Sequence, residues 1–175
     1  MKVNKTENSD ILIILISLIG YILIFNFYVN MTITNSNSLN SELNSIFQSS
    51  DIQISSLNAL IITISSITAL LIATIYFLIN KFLLNLLHIK ITSSKLILTV
   101  LIASMPCPLL CCIASSLFNI DLMNNVLRII VSLLEPLLMA FLLKDSFKNK
   151  KSYVIYSTIL LVLAIGSTLT SNLLK

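Results

Sequence analysis

Charged side chains are scarce in this chain, with 11 Lys and Arg and 7 Asp and Glu among 175 residues, or 10%. A soluble domain carries about 25%. So few charges cannot coat a surface for water, and a soluble globular fold is excluded. Two glycines and three prolines rule out a fibrous or linker-rich chain. There is no tryptophan and one histidine, His88, so the two-histidine zinc motif of a metalloprotease cannot be built. No Walker, Rossmann or other glycine-rich phosphate pattern is present. Asp121 and Glu135 are fourteen residues apart, about 21 Å along one helix, too far to act as a carboxylate pair within it. No enzyme and no cofactor are expected. The net charge of +4 sits in short loops, where it carries topology information and not a nucleic-acid footprint.

What the chain has is hydrocarbon, 57% of its residues. Apolar runs cover about 11–29, 57–80, 96–118, 126–143 and 153–174, and about 20 such residues span a bilayer core. The predicted fold is all-α, a single membrane domain of five transmembrane helices. The first run follows Lys2 and Lys5, as in a signal peptide, but no small-residue cleavage site follows it and the first alanine is Ala59. It reads as an uncleaved span, with Tyr21 and Tyr28 as interfacial markers. Residues 30–56 hold no Lys or Arg; Leu39, Leu43, Ile46 and Phe47 recur there at helical spacing. They predict a short extracytoplasmic amphipathic helix, either a cap on the bundle or a docking face for a partner.

Orientation follows from counting. Five spans put the N-terminus and the loops at 81–95 and 144–152 on one side, with nine Lys against two basic residues, Arg128 and Lys175, on the other. The positive-inside rule then makes the N-terminus cytoplasmic and the C-terminus extracytoplasmic. Abundant Ile, Asn and Lys fit an AT-rich bacterial genome, and the cytoplasmic membrane is the expected location.

The fourth run, with the turn before it, is the one to explain. NIDLMNNVLRIIVSLLEPLLMAFLLK is long enough to cross a membrane, yet it contains Arg128 and Glu135. An ionisable group at the bilayer centre costs roughly 2.5–3.5 kcal/mol on insertion scales, so such residues are rare, and are paired or functional. Asp121, Arg128, Ser132 and Glu135 share one helix face and form a polar stripe that other helices must cover. Arg128 and Glu135 are roughly 10 Å apart along the axis, so each can pair across helices, with Asn26, Asn80 or Ser65 as polar candidates. Glu135 is expected either to meet a donor on another helix or to be held as the neutral acid. The stripe is a structural pair, a substrate or proton path, or a contact to a partner protein.

Three prolines predict helix breaks: Pro106 and Pro108 in the third run and Pro136 after Glu135. Cys107, Cys111 and Cys112 beside the first two read chiefly as small buried hydrophobes, with metal or redox roles as alternatives. Ser65, Ala69 and Ala73, four apart, would let a neighbouring helix approach closely.

From about Asn58 onward the layout resembles the Yip-type five-span membrane proteins. A cytoplasmic N-terminus, a helical extracytoplasmic segment after the first span, and a basic loop entering a proline-centred third span carry the likeness. That loop and span read KFLLNLLHIKITSSKLILTVLIASMPCPLL, with Pro106 or Pro108 in the family's proline position. The short N-terminus and the scarcity of glycine depart from the pattern. The resemblance implies no enzyme, but an accessory subunit of a bacterial membrane transport complex such as an ABC-type peptide exporter. A membrane-embedded immunity protein against a membrane-active peptide is the competing expectation. A carrier acting alone fits less well, because the runs show no internal repeat and their count is odd. Membrane lipid, a membrane-protein partner or a second copy of the chain are the expected neighbours.

Overall fold

The computed structural model describes the backbone of residues 5–35, 54–118 and 125–173, and the side chains of 9–35, 58–118 and 129–168. Among them every regular element is helical. Helix α1 is Lys5–Asn35, α2 Ile54–Leu86, α3 Ser93–Ser104, α4 Pro106–Phe118, α5 Asn125–Leu143 and α6 Lys150–Leu173, with a 3-10 turn at Lys144–Ser146 between the last two. Four stretches are long and apolar enough to cross a membrane: Ser9–Asn35, Asn58–Leu86, Ser93–Phe118 and Lys150–Thr168. These are the proportions of a helical membrane protein, in which each apolar run satisfies its own backbone because lipid cannot. The expected amphipathic helix over Leu39, Leu43, Ile46 and Phe47 lies outside the described residues, as do Asp121 and the Arg128 side chain.

Two elements differ from the sequence reading. Helix α2 does not stop at Asn80 but continues to Leu86, through the amphipathic start of the predicted loop. Leu83 and Leu84 are buried there, and the Lys81 ammonium lies 5.4 Å from the Phe77 ring centroid, so the extra turn is packed on one side and solvated on the other. The helix closes with paired bonds from the Ile89 N–H to the Leu84 carbonyl, 2.9 Å, and from the His88 N–H to the Asn85 carbonyl, 3.0 Å. That closure needs a left-handed residue, and His88 supplies it with φ 56°. The third span is two helices. It breaks at Met105, because Pro106 and Pro108 have no N–H for the carbonyls of Ile102 and Ser104 four residues back.

Helix α3 sits centrally, packed against α1, α2, α4 and α5, while α5 and α6 run along each other. One core cluster joins Leu84 of α2, Val100 of α3, Met139 and Leu143 of α5 and Tyr156 of α6. A smaller one joins Tyr21 of α1, Ala69 of α2 and Leu101 of α3. Tyr21 is therefore core, only 2% exposed, and not an interfacial marker. Ser65 and Ala69 are buried and Ala73 partly so, on the α2 face toward α1. At one end the Lys95 ammonium donates to the Ser146 hydroxyl, 3.0 Å, so the start of α3 and the end of α5 lie together.

Candidate functional site around Glu135

In an apolar bundle, buried polar side chains must find each other. They do so here at successive depths. Near the end marked by Lys95 and Ser146, Tyr156 of α6 donates to the Asn80 amide oxygen, while the Asn80 NH2 group reaches the Tyr76 carbonyl at 2.8 Å and the Met139 sulfur at 3.3 Å. Toward the opposite end, Ser65 donates to the Asn26 amide oxygen, and the Asn26 NH2 group donates to Ser66 at 3.0 Å. At that far end the Asn35 NH2 group donates to Ser115, 3.1 Å, joining α1 to α4.

Glu135 occupies the middle layer. The Met105 break leaves Ser104 as the last residue of α3, buried, and its hydroxyl donates to Glu135 Oε1. Tyr76 of α2 stands beside the same carboxyl on the wall of one chamber. One turn before Glu135, the Cys107 thiol donates to the Val131 carbonyl at 3.4 Å and holds the start of α4 against α5. Glu135 itself is partly buried, and its open side faces a chamber of about 380 Å³ between α1, α2, α4 and α5. The far wall is aromatic. Tyr21 and Phe25 have ring centroids 6.1 Å apart and Phe25 and Tyr28 6.4 Å apart, and all three line the chamber with Tyr76.

Ser132, in the expected stripe, turns back on its own helix and donates to the Ile129 carbonyl, 2.8 Å. The expected break at Pro136 does not occur: α5 runs through it unbroken, and the buried proline only denies the Ser132 carbonyl its usual donor. The three residues named from sequence as cross-helix partners are engaged elsewhere: Asn26 and Ser65 with each other, Asn80 with Tyr156. The hydroxyls beside Glu135 are ones the sequence reading passed over. Ser104 carried one signal, its place just before the Met-Pro break; Tyr76 carried none beyond lying one turn before Asn80. The cysteines are unbridged and buried, with Cys107 and Cys111 on the chamber wall. Among the described residues no three His, Cys, Asp or Glu side chains converge as a metal site would require.

A carboxyl group that accepts from a serine hydroxyl, with aromatic rings around it, can carry a proton or meet a cation. A second cavity, about 450 Å³ and almost wholly apolar, lies between α2 and α6 over Pro136 and Met139 of α5. Compared with known proteins, the chain matches no family model, no curated protein and no solved structure.

Proposed function

We propose that this chain is a non-enzymatic subunit of a bacterial membrane complex of the transport class, an ABC-type peptide exporter being the model that its likeness to the Yip-type layout suggests. In this reading α5, 19 residues and about 28 Å long, is the fourth of five spans. The nine Lys on the N-terminal side face the cytoplasm. The Lys95–Ser146 contact supports that arrangement, since it gathers two of the basic loops at one end.

The observation that carries the reading is the groove between α2 and α6. These helices meet at Asn80 and Tyr156, and beyond that point the groove separates Ile72, Ile75 and Ile79 from Leu160, Leu163, Ala164 and Ser167. Ala164 and Ser167 keep one wall low, which lets the backbone of another helix come close. A transmembrane helix of a partner subunit fits a groove of that length and chemistry. Affinity purification in mild detergent, with identification of the chains that come with it, tests this. Stoichiometric recovery of a transporter subunit, lost when Ala164 and Ser167 are replaced by Leu, is the expected result. Recovery of the chain alone, from cells it protects against a membrane-active peptide, would instead establish the immunity role.

A further inference from the structure

We propose that the chamber around Glu135 is a binding site for a lipophilic organic cation. The inference goes beyond the subunit reading and does not depend on it.

The argument begins with charge. Ser104 donates to Glu135 and the Tyr76 hydroxyl lies beside it, but hydroxyls are neutral, so the ionised carboxylate is favoured there only with a cation next to it. A carboxylate accepts at about four lone-pair positions, so these hydroxyls leave room for a further group. The open side of Glu135 faces that room. In hydrocarbon the charge must be met by a positive one.

The wall says which kind. Tyr21, Phe25, Tyr28 and Tyr76 line the same chamber, and ring faces attract cations more strongly where water is excluded. A small inorganic ion is the wrong occupant: a hard cation takes six or more oxygen ligands, and the described side chains bring one carboxyl and a few hydroxyls. A large cation with its charge spread over apolar groups suits one carboxylate and four rings. The chamber's 380 Å³ is the size of an ordinary small-molecule site, at about 300–1,000 Å³. The way in is also present. Ile72 and Tyr76 line both this chamber and the apolar groove between α2 and α6, so a cation dissolved in the bilayer meets Tyr76 as the partition before Glu135.

The test uses the full chain in lipid nanodiscs and radiolabelled tetraphenylphosphonium, with empty nanodiscs as the partition control. Saturable one-to-one binding above that control is expected, and tetraphenylborate, of the same shape and opposite sign, should not compete. Glu135→Asp and Tyr76→Phe should keep binding within about threefold, since one preserves the charge and the other the ring. Glu135→Gln and Tyr76→Leu should weaken it at least tenfold. Binding no greater than in empty nanodiscs overturns the proposal, and so does equal competition by tetraphenylborate. Wild-type affinity in folded Glu135→Gln or Tyr76→Leu overturns it as well. The contrast between the two tetraphenyl ions is read on the wild-type chain, so it stands even if a variant fails to fold.

Discussion

Tyr156 and Asn80 are each 0% exposed, and their bond crosses from α6 to α2 in a place with no water to replace it. Tyr156→Phe keeps the ring and removes the donor, leaving the Asn80 oxygen unmet. An orphaned buried group costs about 1–3 kcal/mol. Tyr156→Phe should lose that much in a detergent unfolding titration, and Asn80→Leu combined with it should lose less than the two single changes added together. Glu135 follows the same logic. Glu135→Ala strands the Ser104 hydroxyl, whereas Glu135→Gln keeps an acceptor for it. The alanine variant should melt below the glutamine variant; equal melting points would show that the hydroxyl does not depend on residue 135. His88 is the opposite case. Its left-handed backbone costs a side-chain-bearing residue about 1–2 kcal/mol, so His88→Gly should raise the unfolding free energy by up to that amount. That Glu135 would meet a donor on another helix was legible in the sequence, because a carboxyl in an apolar run has to be accounted for. Its partners were not. Serine and tyrosine are ordinary in membrane helices, and which of them meets Glu135 depends on how three helices are rotated about their own axes.

The helices were the legible part, since hydrocarbon forces each long apolar run to close its own hydrogen bonds. The break in the third run was legible as well: two prolines, two positions apart, remove two donors within one turn. Its consequence for packing was not. Beyond the break at Met105 α4 packs on α1, and Asn35 of α1 meets Ser115 near its far end. With the native cysteines replaced by serine, Asn35→Cys and Ser115→Cys should form a disulfide readily on mild oxidation. Pro106→Ala with Pro108→Ala restores the missing donors and straightens the helix, and the same pair should then cross-link poorly. Equal cross-linking in both backgrounds would mean the prolines do not set the direction of α4. The ends of α2 were the least legible, because Lys81 and Asn85 look like the start of a loop. They mark instead the solvated face of a helix whose other face buries Leu84.

At the scale of the molecule, five spans and the nine-to-two division of basic residues predict His88 and Asn149 on the cytoplasmic side and Ser38 on the other. Single cysteines at these positions, in the cysteine-free background, should react with an impermeant maleimide from outside the cell only at residue 38. Labelling at residue 88 from outside would invert the orientation. The two sides of the Glu135 chamber also differ in length. Helix α2 carries 29 residues of membrane-spanning length, about 43 Å, against a hydrocarbon core of about 30 Å, while α5 has 19 residues and about 28 Å. A helix longer than the bilayer core can take up the excess by tilting. Tyr76 lies on the longer helix and Glu135 on the shorter one. Hydrophobic mismatch therefore bears unequally on the two walls of the chamber.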